Sequence, residues 1–435
     1  MRLGAAGSAR PAPPPGVRVV LDARPLQDPE RAPVTAAYLG ALLAAYDADP
    51  LAGESFAFLL RSDLDDPTAD LDGLEVVGRR LLPPTGMLRS ASQTVDPFLL
   101  RGASLGAAWR AERGGAHGAV YHAVGAGSLP IASRLPVVVT LLDLAPWEIP
   151  GAFTAGTAAR FGRRLRAQQL RDAAAVIVGS EAVARAAHRL LRIRTDRLRV
   201  VPLAPRPGFA PSVPGAAGAA VEGGAAGAAD AIDDAARLGL QPGRFLVYSG
   251  RYDVRQDLVT LLRALARLTA DGRPAELPGD APWPPRVLLA GATPADRASL
   301  ARAAAREGVG EALVYSPPLA PERLAALLEA ARASLLPVVS EGAGLAAIES
   351  IATGTPVIAS AVGPLPELVG AAGLLVEPRD PDRLASALRT IWTDHRVHDR
   401  IAAAARKRAA ADRRTWGAVA DETRRVYADV GIRTG

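Results

Sequence analysis

Twelve short runs rich in valine, isoleucine and leucine constrain this chain more than any other feature. In the first half they read VRVVLDA (17–23), FAFLL (56–60), AVYHAV (119–124), PVVVTLLDL (136–144), AAVIVGS (174–180) and LRVVPLA (198–204). In the second half they read FLVYSG (245–250), RVLLAG (286–291), ALVYSP (312–317), ASLLPVV (333–339), PVIAS (356–360) and GLLVEP (373–378). Each is apolar on successive residues, and alanine- and leucine-rich stretches of helical character separate them. A strand that is apolar on both faces must be covered on both, as in parallel sheets layered between helices. Two such series in 435 residues predict an α/β protein with two Rossmann-like, doubly wound parallel-sheet domains.

The boundaries follow from what the remaining residues cannot do. The stretch PGFAPSVPGAAGAAVEGGAAGAADAI (207–232) is rich in Gly, Ala and Pro and has no periodicity. It cannot bury enough side chain to offset its ordering entropy, which predicts a flexible linker or surface insertion over 207–235. The expected N-terminal domain is then 17–206 and the second domain 236–412, with a helix over 413–435 whose Trp416, Val419 and Val426 form one packing face. Residues 1–16 lack a long apolar core and read as a disordered leader, not a signal peptide.

Composition removes several function classes. The absence of cysteine excludes disulfides, zinc–thiolate sites and thiol nucleophiles, and a reducing cytoplasm is the compartment that fits. Five histidines without H-E-x-x-H spacing give no metal centre. The net charge of +6 rests almost wholly on arginine, since Lys407 is the single lysine. Sparse aromatics, with no basic run interleaved with stacking residues, argue against nucleic acid. Anionic small ligands or an anionic membrane surface suit the charge equally. The helix expected over 158–173 carries Arg160, Arg163, Arg164, Arg166 and Arg171, and its simplest reading is a solvated face.

In open parallel sheets ligands bind beyond the carboxyl ends of the strands. At one such end, SGRYDVRQDL (249–258), Gly250 is followed by Arg251 and Arg255. Glycine would let a ligand approach the backbone, and a guanidinium can grip a phosphate through two parallel hydrogen bonds. At another, SEGAGLAAIES (340–350), Gly342 and Gly344 permit a tight turn into a helix whose free amides and partial positive charge suit a pyrophosphate. Glu341 stands at that helix mouth and Glu349 about two turns inside it. Carboxylates accept from hydroxyls, so an anion flanked by two polyols, a nucleotide-sugar, fits the pair. A third loop, AVGPLPELVG (361–370), would border the same cleft, and the aspartates of DPD (380–382) read as a helix start, not metal ligands.

With these residues quoted, the segment LPVVSEGAGLAAIESIATGTPVIASAVGPLPELVGAAGLLVEPRDPDRLASAL (336–388) resembles the donor-binding half of GT-B glycosyltransferases of family 4. FLVYSGRYDVRQDLVTLLRAL (245–265) resembles the same family's entry to its phosphate site. The resemblance is dense from 243 to 390 and looser over 17–205. It implies a GT-B fold, two Rossmann-like domains across a cleft, with the C-terminal helix returning to the first domain. It implies a UDP- or GDP-sugar as donor substrate with no permanently bound cofactor or metal, and transfer with retention of anomeric configuration. By carry-over Glu349 binds the donor ribose and Glu341 the transferred sugar. The backbone of Gly342, Ala343, Gly344 and Leu345, with Gly250, Arg251 and Arg255, holds the diphosphate and stabilises it as it departs.

The first domain departs from the pattern. Gln256 stands where the family has a lysine and Leu142 where a histidine commonly precedes Asp143. No glycine precedes Gly40 in the loop after the first strand, and the residues matching an aromatic and a proline are Ala343 and Ala346. His122 and Asp143 remain as acceptor-side candidates. The leading reading is a glycosyltransferase acting on a glycan or lipid-linked acceptor, in the cytoplasm or at the inner face of the membrane. The rivals are a nucleotide-sugar-binding protein or partner subunit without turnover, and a GT-B-type sugar-nucleotide epimerase.

Overall fold

The computed structural model describes residues 14–83, 100, 118–127, 129–153, 156–209, 235–412 and 414–431. The expected leader falls mostly, and the expected linker almost entirely, outside the described residues.

The first sheet has seven parallel strands: β1 (Arg18–Asp22), β2 (Ser55–Arg61), β3 (Val76–Leu82), β4 (Ala119–Val124), β5 (Val137–Thr140), β6 (Ala175–Val178) and β7 (Leu198–Val200). Their order is β3-β2-β1-β4-β5-β6-β7, with Val19 registered on Phe56 to one side and Val120 to the other. The second sheet has six: β8 (Leu246–Tyr248), β9 (Val287–Leu289), β10 (Leu313–Tyr315), β11 (Ala333–Leu336), β12 (Val357–Ser360) and β13 (Gly373–Val376), in the order β10-β9-β8-β11-β12-β13. Each of the twelve apolar runs contains one of these strands, and each strand is buried on both faces except at the sheet edges.

β3 is the strand that apolar patterning misses. Gly78, Arg79 and Arg80 interrupt its run, and as an edge strand it needs no apolar pair on both faces. The expected runs also overshoot. Leu141, Leu142 and Leu144 continue the apolar run of β5 and are buried, yet they leave the sheet to form a loop at its carboxyl edge.

The helices that matter for the site are α1 (Pro33–Ala48), α2 (Ala145–Glu148), α3 (Thr157–Asp172), α4 (Glu181–Leu191), α5 (Leu258–Ala270), α6 (Pro321–Ala330), α7 (Leu345–Ala352), α8 (Pro381–Thr393) and α9 (Trp416–Gly431). One core, with α1 and α9, covers one face of the first sheet, and a second core under α4 covers the other. Asp380 caps α8 by accepting from the Arg383 amide at 2.9 Å, so DPD is a helix start.

α9 closes on the first domain through polar as well as apolar contacts. Trp416 meets Tyr38 edge-on with ring centroids 5.4 Å apart. Arg424 Nη2 pairs with Glu54 Oε2 at 2.7 Å, both side chains being 4% exposed. Removing one partner of such a pair strands a buried charge at a cost of about 3–5 kcal/mol, so it specifies where the helix docks.

Candidate active site

Strand order alone marks the site. In the second sheet β8 has β9 on one side and β11 on the other, so the connections diverge there and leave a crevice beyond the carboxyl ends. The chain leaving β8 carries Gly250, Arg251 and Arg255, and that leaving β11 carries Ser340, Glu341 and the glycine loop. Gln256 pairs with Val338 in an antiparallel bridge, and the Val339 amide donates to the Arg255 carbonyl at 2.8 Å, which ties the two loops together.

The glycine loop ends at Gly344, which caps α7 in a left-handed conformation, φ +69°. The first amides of α7 have no intrahelical acceptor by geometry, and they lie beside the loop. Glu341, half-buried, turns back on this loop: its Oε1 accepts from the amides of Gly344 at 2.9 Å and Gly342 at 3.2 Å. Burial pushes its carboxyl above the ordinary range, those amides oppose the rise, and nearby Asp143 adds to it.

The loop also touches the first domain. A Cβ at Gly342 would stand 2.4 Å from the Leu142 carbonyl oxygen, so only glycine allows the two backbones this close. Ala343 and Leu345 are buried with Leu142 and Leu203 in the first domain's core cluster. Ala343 therefore packs where the family's larger aromatic would need more room. Leu142, at the position of the family's histidine, contributes a contact between domains.

Gly250 also makes room for a side chain of its own domain. A side chain there would meet the Tyr248 hydroxyl 2.5 Å from its Cβ, so the glycine accommodates Tyr248, whose hydroxyl donates to the Arg251 carbonyl. Arg251 Nε pairs with Asp253 Oδ2 at 2.9 Å. Arg255 reaches across the cleft, with Nη2 2.5 Å and Nε 3.1 Å from Asp143 Oδ2, and Nη1 2.5 Å from Asp253. Its guanidinium also lies 5.2 Å over the Phe153 ring. Burial alone would lower its pKa, but the two carboxylates outweigh that and raise it. Ser340 Oγ donates to Glu148 Oε2 of α2 at 2.5 Å, a further bond between domains.

Asp143 is held between two partners: Oδ2 pairs with Arg255 and Oδ1 accepts from the Ala145 amide at 2.8 Å. His122, the other acceptor-side candidate, lies inside the first domain. It has no exposed surface, and its ring nitrogens meet Thr140 Oγ1 at 2.8 Å and the Tyr427 hydroxyl at 2.7 Å inside the first domain. Glu349 is 3% exposed on α7 and pairs with Arg206, which the spacing of motifs does not reveal because 143 residues separate them. Ser340, Glu148 and Asp253 were likewise without a sequence signal, being ordinary polar residues in loops and a short helix. Among the described residues no group of three or more His, Asp or Glu is placed to hold a metal ion.

Two parallel-sheet domains facing each other across these loops define the class: this is a GT-B fold. Within it, residues 243–394 match the family model of the glycosyl transferases group 1. The D-inositol 3-phosphate glycosyltransferase of Streptomyces griseus is 36% identical over 201 residues, 44% of this chain and 40% of its own length. The chain thus aligns with about two fifths of the length of the curated relatives it matches first. Sucrose-phosphate synthase of Thermosynechococcus elongatus has the same fold, with a TM-score of 0.65 at 22% identity over 95% of this chain and 98% of its own. Anabaena Alr3699/HepE, solved in complex with UDP and glucose, gives a TM-score of 0.65 at 16% identity over 94% and 98%.

Proposed function

We propose that this chain is a retaining glycosyltransferase that moves a sugar from a UDP- or GDP-sugar to a glycan or lipid-linked acceptor. The observation that carries the proposal is the convergence, at the β8/β11 switch point, of the α7 mouth, two acids and two arginines. The diphosphate would lie between the first amides of α7, beside the 342–345 loop, and the guanidinium groups of Arg251 and Arg255. Charge grows on the leaving diphosphate as the glycosidic bond breaks, and fixed amides and cations there favour the transition state over the ground state. Glu341 would hold the transferred sugar: the bonds from Gly342 and Gly344 fall on Oε1, and Oε2 would accept from a sugar hydroxyl. Glu349 would accept from the ribose. The Anabaena relative's UDP and glucose support a uridine donor for this chain too.

The chain would work in the cytoplasm, in keeping with its lack of cysteine. Among the described residues no helix is long and apolar enough to cross a membrane, and we place a lipid-linked acceptor within reach by surface contact through α3.

Thermal unfolding with a panel of UDP- and GDP-sugars tests the donor site. One donor should raise the Tm, as ligand at a hundredfold excess over Kd stabilises by about 2.7 kcal/mol. Glu349→Ala should remove most of that shift, and a wild type that no nucleotide-sugar stabilises refutes the proposal. With the stabilising donor, Glu341→Ala should slow donor hydrolysis on the order of a hundredfold. Equal turnover would take Glu341 out of the chemistry.

A further inference from the structure

Glu349 lies in the middle of α7, nearly sealed from water, where an unpartnered carboxylate would be costly. Its partner comes from the segment that leaves β7 for the second domain. Arg206 approaches side-on: Nε bonds Oε1, and Nη2 donates to Oε2 at 3.0 Å. Arg206 is itself held in place. Its guanidinium lies 5.2 Å over the ring of Phe209, which is fully buried in the second domain's core. The neighbouring Pro205 carbonyl accepts from Trp416 Nε1 at 3.0 Å, which ties the same segment to α9.

We propose that Arg206 is a positioning residue for the nucleotide's ribose, fixing the plane of the Glu349 carboxylate so that it accepts from the vicinal ribose hydroxyls. The inference rests on the reading of Glu349 as the ribose acid. A carboxylate has about four acceptor positions, and a side-on guanidinium uses one on each oxygen. The Arg206 backbone amide also meets the carboxylate, and the acceptor capacity that remains is what adjacent ribose hydroxyls would use. Without the guanidinium, the carboxylate would be free to turn and its charge would have no partner. Burial pushes the Glu349 carboxyl upward and Arg206 opposes the rise. Burial would lower Arg206, but Glu349 and, from α6, Glu322 outweigh it. Arg406 flanks Gly354 just beyond the other end of α7.

The test is calorimetric titration of UDP and GDP, and of their 2′-deoxy forms, into wild type, Arg206→Gln, Arg206→Lys and Glu349→Gln at pH 6, 7 and 8. Wild type should prefer the ribo form by about tenfold or more, the effect of a hydrogen bond to a charged group, and the ratio should stay flat with pH. In Arg206→Gln the ratio should fall toward one at pH 6 and recover partly as pH rises and the unpaired Glu349 ionises. Arg206→Lys keeps the charge but loses the planar fork, so its ratio should lie between. A folded Arg206→Gln with the wild-type ratio at every pH overturns the inference. Should that variant not fold, an unchanged ratio in Arg206→Lys overturns it equally. A wild type that binds nucleoside diphosphates with no ribo preference, or a Glu349→Gln with an unaltered one, removes the ribose reading while leaving the donor site intact. A wild type that binds none removes both.

Discussion

His122, buried in the first domain, carries a consequence for stability. Tyr46 donates to the Tyr427 oxygen at 3.2 Å, so Tyr427 in turn donates to His122 Nδ1. That leaves the ring proton on Nε2, which donates to Thr140 Oγ1. Such a chain needs a neutral imidazole, and burial holds the His122 pKa down at about 3 against 6.5 when exposed. Between those values the unfolded chain binds a proton that the folded chain does not, so stability falls as pH drops from 6.5 toward 3. At pH 5 the loss is about 2 kcal/mol. Urea unfolding of wild type and His122→Gln at pH 7 and pH 5 checks this: wild type should lose about 2 kcal/mol more than the variant. The raised carboxyls of Glu341 and Glu349 contribute with the opposite sign, but equally in both proteins. Equal losses would mean that His122 charges in place. The residue scale also shows how far spacing carries. Glu341 and Glu349 were legible as a pair because both sit in one local loop-helix unit. Arg206 and Glu148 reach the same cleft only through the packing of two domains, which no local pattern encodes.

Among the elements, α3 and α4 stand out by charge. Residues 157–199 hold eleven arginines against three acids, an excess larger than the whole chain's net +6. Some of these cations are spent inside the fold, as when Arg197 donates to the Ala173 carbonyl at 3.1 Å. Arg160 and Arg164 are exposed on α3 and flank Phe161, which is 58% exposed, and Leu190 on α4 is 36% exposed. An aromatic between arginines on an outward face fits an anionic bilayer, where the ring enters the interface and the cations meet headgroups. The chain should therefore sediment with vesicles containing phosphatidylglycerol and not with phosphatidylcholine alone, and added salt should release it. Arg160→Gln with Arg164→Gln should weaken binding about thirtyfold, at about 1 kcal/mol per arginine. Binding unchanged in that variant, or equal on neutral vesicles, would return α3 to a solvated face. Element existence was legible wherever a strand is buried on both sides, because such strands must be continuously apolar. It was illegible at β3, where an edge position relaxes that demand and Arg79 and Arg80 enter the strand.

At the scale of the whole molecule the two domains meet directly over the loops that leave β8 and β11. Gly342 abuts Leu142, Ser340 bonds Glu148, the Ala182 amide donates to Glu367 at 3.3 Å, and Arg255 is held by Asp143. A nucleoside diphosphate at Arg255 would need the guanidinium that Asp143 holds in this structure, so its binding would open that ion pair. The ion pair is the contact that a diphosphate would replace like for like, since its oxygens offer a guanidinium the same paired acceptors as a carboxylate. Asp143 would thus compete with the phosphates, and its charge also raises the pKa of Glu341. Asp143→Asn removes a half-exposed pair worth about 1 kcal/mol or less, and with it a negative charge facing an anionic ligand. UDP affinity should rise about three- to tenfold, most at low ionic strength. Titration of UDP into both proteins at two salt concentrations reads this directly. Weaker binding in Asp143→Asn would instead make Asp143 a partner of the bound ligand, with Arg255 aligned by it from the first domain.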